Sequence, residues 1–225
     1  PFSISMFAQE VEEVVVTATK KEESIQDIAV SISAFDSESI AAEQIYDLSD
    51  LAEVVPGFEV AKGIGSGSAF TMRGIGSYGV GAAVVSSFVS AINGHSALVS
   101  VFNDMGFHDL ERIEVLNGPQ GTLFGRNSVG GAINMITAKG DTSGYYGNAS
   151  IDIADYNGLK TTSTFNIPLD DKVALRLATS TLKRDGYMEN IYSVQKDQDV
   201  DGRNQVAYRA TLTFEPTDNT TIHII

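Results

Sequence analysis

The residues whose spacing most suggests chemistry form a glycine-rich loop in the middle of the chain. The run GIGSYG at positions 74–79 fits the pattern G-x-G-x-x-G, in which backbone amides at the start of a helix hold the pyrophosphate of a dinucleotide. Such a loop needs a strand before it and a helix after it. Residues 80–88 are rich in valine and carry few helix signals. A soluble nucleotide-binding oxidoreductase that uses Gly74, Gly76 and Gly79 is an alternative hypothesis for this chain.

A second pattern imitates a cation site. Asp197, Asp199, Asp201 and Gly202 follow the first half of a calcium-binding EF-hand loop. The twelfth position of that loop is Tyr208, where calcium binding requires a bidentate glutamate. We interpret these residues as an acidic, solvated loop, and a weaker calcium site remains an alternative.

Other groups that perform catalysis are absent or far apart in the sequence. His95, His108 and His223 are widely separated, there is no cysteine, and no G-x-S-x-G motif occurs. Since nucleophilic catalysis and metal binding need such groups at defined spacings, we predict no enzyme, no cofactor and no metal site. The formal charge of −14 argues against nucleic acid as a partner, because phosphates are bound through clustered Lys and Arg.

The N-terminal region is predicted to contain a leader remnant and a tethered strand. Residues 1–8 are interpreted as the remnant of a secretory signal that is cleaved after Ala8, with a frayed terminus as the alternative. Residues 9–24 combine an acidic, β-branched segment with a polar linker. Three consecutive valines favour an extended backbone, and a tethered extended segment is suited to pairing with another protein's sheet edge. An ordinary first strand is the alternative.

Residues 25–138 are predicted to form a small α/β domain. Asp36 or Ser37 is the expected N-cap of one short helix, and Asp47 that of a second at 48–54. Asn93-Gly94 is a strong signal for a tight turn. Strands are predicted at 30–35, 58–61, 70–73, 88–92, 112–116 and 132–137. Strands this short bury little apolar surface, so the domain is expected to depend on structure around it.

Residues 139–225 alternate between apolar and polar side chains with a period of two. Strands are predicted at 145–153, 159–169, 173–181 and 206–215, with the start of a fifth at the end of the chain. Short turns at 170–171 and 216–219 flank a long loop at 185–204. Short turns alternating with long loops are typical of a transmembrane β-barrel. A soluble antiparallel sheet with one wet face is the alternative.

The most informative stretch is DLERIEVLNGPQGTLFGRNSVGGAINMIT, at positions 109–137. It predicts a strand, a Gly-Pro break, one helical turn, a polar loop with a glycine pair and a second strand. It carries the charged residues Glu111, Arg112, Glu114 and Arg126. Charges in an enclosed domain need partners, and polar residues on the inner wall of a barrel would supply them.

This stretch resembles the plug-domain signature of TonB-dependent outer-membrane transporters. The run TMRGIG at 71–76 resembles the arginine-glycine motif earlier in the same plug. LSDL at 48–51 with VPG at 55–57 resembles the helix and the break near its start. EEVVVTA at 12–18 is similar to the TonB box. The resemblance covers residues 12–137 by motif and the remaining residues by their barrel-like alternation.

The resemblance implies both a fold and a function. The fold is an α/β plug domain, at 25–138, followed by the first four to five antiparallel strands of a transmembrane β-barrel, at 139–225, which are too few to close it. The implied function is TonB-dependent import of a scarce nutrient across the bacterial outer membrane. The implied partners are TonB of the inner-membrane energising complex, outer-membrane lipid and a small nutrient such as a metal chelate. Ferric siderophore is the first expectation, with cobalamin or oligosaccharide open. A soluble plug-like periplasmic module for binding or signalling is the other alternative.

The resemblance also assigns roles to residues of this chain. The TonB-binding residues are Glu13, Val14, Val15, Val16 and Thr17. The residues expected to lock plug to barrel are Arg73, Glu111, Arg112 and Arg126. The residues of the plug turns are Gly74, Asn93, Gly94, Gly118, Pro119, Gly121, Gly130 and Gly131. The loops at 61–69, 77–87 and 95–105 are the candidates for ligand contact.

Two positions depart from the family pattern. Asn117 stands where the family usually has a basic residue before Gly-Pro-Gln-Gly, so one plug-to-barrel contact is expected to be missing or replaced. Asn93-Gly94 stands in place of the usual aspartate-glycine, which keeps the turn but removes a charge.

Overall fold

The computed structural model describes residues 15–17, 23–24, 30–62, 68–76, 87–97, 107–189, 191, 199–217 and 219–225. The predicted signal remnant at 1–8 lies outside these residues. The chain divides into two compact units. Unit 1 comprises Pro1–Gly106 and Arg112–Ile136, and unit 2 comprises Phe107–Glu111 and Thr137–Ile225. A short segment from the middle of the sequence is therefore grouped with the C-terminal strands.

The central sheet of unit 1 has five strands, in the spatial order β3-β9-β10-β7-β8. These strands are β3 (Ile32–Asp36), β7 (Phe88–Ile92), β8 (His95–Ala97), β9 (Leu110–Asn117) and β10 (Gly131–Thr137). β10 runs parallel to β7, whereas β3 is antiparallel to β9 and β8 is antiparallel to β7. All seven residues of β10 are buried, so the sheet is covered on both faces.

Two smaller sheets complete the strands of unit 1. The N-terminal pair is β1 (Val15–Val16) with β2 (Glu23–Ser24), which are antiparallel. The other sheet contains β4 (Phe58–Lys62), β5 (Ser68–Met72) and β6 (Ile75–Gly76). Phe58 stacks on Phe88 with ring centroids 5.5 Å apart, which packs this sheet against the central one.

The helices of unit 1 begin at the residues that their caps predict. Helix α1 (Ser37–Ala42) starts after Asp36, whose carboxylate accepts the amide of Ser39 at 2.7 Å. That hydrogen bond lowers the pKa of Asp36 from its ordinary value. Helix α2 (Leu48–Val54) starts with a capping box between Asp47 and Asp50, because each carboxylate satisfies the other's free backbone amide. The single turn α3 is Gly121–Phe124.

No helix in the described ranges combines the length and hydrophobicity needed to cross a membrane.

Unit 2 contains a five-stranded antiparallel meander. Its strands, which neighbour one another in chain order, are β11 (Tyr146–Ala154), β12 (Gly158–Asp170), β13 (Val173–Arg184), β14 (Arg203–Thr217) and β15 (Thr220–Ile224). The register places Phe165 opposite Leu177 and Leu175 opposite Leu212. Apolar side chains therefore line up across strands on one face, as the period-two alternation predicts.

That apolar face is open. Ile153 is 84% exposed and Tyr208 77% exposed, values far above those of a packed core. The opposite face carries polar side chains such as Asn166, Arg176 and Thr213, which are buried or half-buried. The burial of polar residues and the exposure of apolar ones are the reverse of what a water-soluble sheet shows.

The strand predictions missed three short elements, one of which, β2, lies in the predicted polar linker. β6 occupies part of the glycine-rich run, and β8 begins at His95, where a ligand loop was expected. Both are second strands of two-residue hairpins and are only two or three residues long, which is too short for periodicity to reveal. The described residues of that expected ligand loop, 95–97, are therefore strand, and the rest of it, 98–105, lies outside the described residues.

Candidate functional site

The end of the predicted TonB box is held on unit 1 by a buried carboxylate. The backbone N–H of Thr17 donates to Oε1 of Glu114 at 2.7 Å, and the Thr17 hydroxyl donates to the same oxygen at 3.2 Å. Val16, next to it, is completely buried. Glu13 and Val14 lie outside the described residues. The part of the box that the structure describes is thus docked.

Glu114 lies at the centre of β9 and is surrounded by donors. Nε of Arg112 donates to its Oε1 at 2.9 Å, and Nδ2 of Asn134 donates to its Oε2 at 3.0 Å. A second nitrogen of Arg112, Nη2, donates to the Thr17 hydroxyl at 3.1 Å. Glu114 is completely buried, so these donors replace the water that the carboxylate loses. We call Thr17, Arg112, Glu114 and Asn134 the box dock.

The four predicted locking residues have different surroundings in the described part of the chain. Arg112 is part of the box dock, within unit 1. Glu111 forms a half-exposed ion pair with Lys139 at 3.9 Å. Nη2 of Arg73 donates to the Ser31 hydroxyl at 3.3 Å, and Arg126 is exposed in the turn after α3.

The described start of the glycine-rich run, residues 74–76, belongs to a hairpin and not to a phosphate loop. Arg73 and Gly74, with φ values of 52° and 76°, connect β5 to β6 in the manner of a type I′ turn. A dinucleotide loop would instead pass from a strand into a helix. The oxidoreductase hypothesis is therefore wrong for Gly74 and Gly76, and Gly79 lies outside the described residues.

The other predicted turn residues occupy tight connections in unit 1. Asn93 and Gly94, with φ values of 50° and 75°, connect β7 to β8. Gly118 has a φ of 88° and precedes Pro119, while Gly121 starts α3. The pair Gly130-Gly131 leads into β10. A Cβ at Gly131, where φ is 151°, would collide with the carbonyl oxygen of Leu116 on β9, so only glycine fits there.

Asn117, which replaces the family's basic residue, makes a contact within unit 1. Its Nδ2 donates to the Ser31 hydroxyl at 3.3 Å, the same oxygen that Arg73 approaches.

Sequence reasoning missed a second buried carboxylate, in unit 2. Asp109, just before β9, accepts Nε of Arg176 at 3.0 Å and Nη2 at 2.6 Å. Arg209 donates to the carbonyl oxygens of His108 and Asp109 at 2.6 and 3.0 Å. The two arginines, on β13 and β14, therefore clamp the segment Phe107–Glu111. The sequence did contain a signal for this site, because Arg176 and Arg209 both lie on the polar face of predicted strands.

The connection from β10 to β11 is also tied to the strands of unit 2. Nδ2 of Asn166, a buried residue of β12, donates to the carbonyl oxygens of Asp141 and Gly144, and its Oδ1 accepts the Asp141 amide at 2.9 Å. The hydroxyl and amide of Ser143 lower the pKa of Asp141 from its ordinary value.

No cluster of three or more metal-ligating side chains occurs among the described residues. Of the acidic loop, Asp197 lies outside them. Oδ2 of Asp201 accepts Nη2 of Arg184 at 3.0 Å, and a hydrogen bond to Asp201 raises the pKa of Tyr187. Asp201 is thus engaged by neighbouring side chains of the loop. His95 and His223 contact Asn93 and Thr213 respectively.

Comparison with known proteins gives consistent results. The family model described as TonB-dependent Receptor Plug Domain matches residues 24–132. The iron-regulated outer membrane virulence protein of Vibrio cholerae is 31% identical over 198 residues, which are 82% of this chain and 30% of that protein. The vitamin B12 transporter BtuB of Vibrio vulnificus is 32% identical over 61% of this chain and 23% of that protein.

Solved structures show the same fold. The ferric yersiniabactin uptake receptor FyuA from Yersinia pestis matches with a TM-score of 0.70 at 22% sequence identity. The match covers 84% of this chain and 29% of the FyuA chain. A chain in the structure of the FpvAI–pyocin S2 complex matches with a TM-score of 0.77 at 16% sequence identity. The match covers 93% of this chain and 26% of that chain. The chain spans less than a third of the length of each of these proteins.

Proposed function

The chain belongs to the TonB-dependent receptors of the bacterial outer membrane, which are not enzymes, and we propose that the protein imports a scarce nutrient with TonB as its energy source. The chain comprises a plug domain and the first antiparallel strands of an unclosed barrel. The plug blocks the lumen of the barrel until TonB pulls on the box. The observation that carries this proposal is the docked N-terminal segment, Val15–Thr17, in which Thr17 donates two hydrogen bonds to the buried carboxylate of Glu114.

We propose that residues 9–24 form the box and linker, 25–138 the plug and 139–225 the first barrel strands. The box proper is Glu13–Thr17. An extended segment of β-branched residues can add as a strand to the edge of a partner's sheet, because its main-chain groups supply the contacts. The pairing of Val15–Val16 with Glu23–Ser24 supports the choice of an extended conformation for this segment.

Outer-membrane lipid is the proposed environment of the apolar face of unit 2. Every strand of the meander contributes to that face, from Ile151 on β11 to Ile224 on β15, and these side chains are exposed. A barrel wall needs such an apolar band, about 25 Å tall, facing the lipid. The half-buried arginines Arg176 and Arg209 on the opposite face fit a polar, lumen-facing wall.

Arg73, Glu111 and Arg126 remain the proposed plug-to-barrel contacts, supported by their exposed or half-exposed positions. Arg112 stays in this proposed group, and within unit 1 its guanidinium also donates to Glu114 and Thr17.

Ferric siderophore is the proposed substrate. Among the similar proteins, FyuA is named as a ferric yersiniabactin receptor and another as the rhizobactin receptor of Rhizobium meliloti, while BtuB is named for vitamin B12. Uptake of radiolabelled iron as a siderophore complex, measured beside uptake of labelled cobalamin in cells that carry or lack the gene, tests this choice. Gene-dependent cobalamin uptake without iron uptake would reject it.

The role of the box is tested by Val15→Pro in the full-length receptor. Proline removes the main-chain donor that strand pairing needs, so energised uptake should fall at least about tenfold while substrate binding to whole cells is unchanged. Val15→Ala, which keeps the N–H, is the matched control and should retain uptake. Normal uptake by the proline variant would remove the assignment of the box.

A further inference from the structure

We propose that Glu114 is the residue that keeps the box docked, so that breaking its contact with Thr17 releases the box to its partner. This inference rests on the proposed function, in which the docked segment is the box that TonB binds. It adds a specific resting contact, the Glu114–Thr17 pair, which competes with the partner for the same strand.

The competition follows from which backbone groups the dock uses. A partner that adds as a β-strand needs main-chain donors of the box. The Thr17 N–H is already donated to Glu114 at 2.7 Å, and Val15 and Val16 are paired with Ser24 and Glu23. Val16 is also completely buried. The docked segment must therefore leave unit 1, at least in part, before the partner can pair along its whole length.

The dock is built so that the box can leave without orphaning a buried charge. When Thr17 departs, Oε1 of Glu114 keeps Nε of Arg112 at 2.9 Å, and Oε2 keeps Nδ2 of Asn134 at 3.0 Å. A buried carboxylate that loses all its partners is strongly destabilised, whereas one that keeps a cation and an amide is not. Undocking therefore breaks hydrogen bonds to the segment and leaves the ion pair in place.

The orientation of Glu114 does not depend on the box. Asn134, which is 1% exposed, donates to Glu114 and accepts the amide of Gly94 through Oδ1 at 2.8 Å. Gly94 lies in the rigid two-residue turn between β7 and β8. The carboxylate is thus held in place by the sheet itself, so the docking position persists after release and the segment can return to it.

Release is measured through a single thiol. These 225 residues contain no cysteine, so in the full-length receptor Val16→Cys adds a thiol that is the only one in this part of the chain. Its position is buried when the box is docked. The labelling rate of this cysteine with a maleimide, followed by mass spectrometry of its peptide, reports undocking. It does so without any partner protein.

The test variant is Glu114→Gln in the Val16→Cys background. It keeps the size of the side chain but turns a charge-assisted hydrogen bond into a neutral one, so labelling should be about tenfold faster. Thr17→Val, which replaces the hydroxyl with a methyl group and leaves the Thr17 backbone N–H and Glu114 in place, should accelerate labelling by about threefold. Glu59→Gln is the matched control, because Glu59 also accepts a threonine hydroxyl, that of Thr71 at 3.1 Å, but takes no part in the hydrogen bonds that hold the described box residues, 15–17. It should leave the rate unchanged.

Binding of the C-terminal domain of TonB completes the test. If Glu114→Gln releases the box, this domain should bind the variant about tenfold more tightly than the parent. Unchanged labelling in both Glu114→Gln and Thr17→Val overturns the dock. Faster labelling with no binding of the TonB domain by any variant supports the dock and rejects the proposed function of the box.

Discussion

The two five-stranded sheets of this chain have opposite surroundings. In unit 1, every residue of β10 is buried, and the sheet mixes parallel and antiparallel neighbours. In unit 2, eight of the nine residues of β11 are exposed, and the strands form a simple meander. The first sheet packs apolar side chains such as Val89 and Leu116 in a buried core with Phe124, whereas the second presents its apolar side chains outward. Equal strand number therefore says little about where the stabilising contacts come from.

The two units also use buried carboxylates differently. Glu114 in unit 1 holds a segment by hydrogen bonds to a backbone amide and a hydroxyl, which can exchange. Asp109 in unit 2 holds Arg176 through a two-point ion pair with side chains 3% and 13% exposed. Losing one partner of such a buried pair strands the other charge. The Thr17–Glu114 contact can therefore break at low cost, whereas breaking the Arg176–Asp109 ion pair is strongly destabilising.

The largest contrast between the sheets should appear on truncating an isoleucine in each. Ile133 on β10 is completely buried, so Ile133→Ala should destabilise unit 1 by about 2–5 kcal/mol through the cavity it creates. Ile153 on β11 is 84% exposed, so Ile153→Ala should change stability by less than about 0.5 kcal/mol. Guanidinium unfolding of the detergent-solubilised receptor measures both. Equal shifts in midpoint would contradict the contrast in burial.

A charge on the open face of unit 2 should impair membrane insertion. Phe165→Arg places a guanidinium on the apolar face, where it should cost about 2–4 kcal/mol if the residue lies near the middle of the bilayer. Thr164→Arg, one residue away on the polar face, is the matched control. Folding yields of the full-length protein in phosphatidylcholine vesicles compare the two. If both variants insert equally well, the apolar face does not contact lipid.

The smallest expected effect concerns the cap of α1 in unit 1. The Ser39 amide lowers the pKa of Asp36. The charged cap therefore stabilises the folded state fully at pH values above the ordinary aspartate pKa. This contribution disappears as the pH falls through the lowered pKa of the folded state. Asp36→Asn should therefore differ from the parent by about 0.3–1 kcal/mol at pH 7 and converge with it at low pH. Unfolding midpoints at pH 7 and pH 3 measure this. A constant difference at both pH values would contradict it.

Local signals were sufficient to predict many elements. Strand β7 has the predicted bounds, and α2 begins after Asp47 because a capping carboxylate acts within a few residues of its own position. The strands of unit 2 were predictable because alternation repeats along each of them. The fold class, a plug followed by the first strands of an unclosed barrel, is confirmed by the family model and by the solved structures.

The pairing of charges was not predictable in the same way. The contacts of Arg112 with Glu114 and Thr17 in unit 1 were not predicted from the sequence. The Thr17–Glu114 contact joins residues 97 positions apart, and the Arg176–Asp109 contact joins residues 67 positions apart. A charged residue in the sequence indicates that a partner is needed, but not which one.

The amino-acid sequence by itself determined where strands, turns and caps form and which face of each late strand is apolar, because those properties depend on neighbouring residues and on backbone sterics. Only the tertiary structure decided which buried carboxylate meets which donor. That choice depends on the register and packing of strands that are distant in the chain, where shifting one strand by a single residue exchanges every contact.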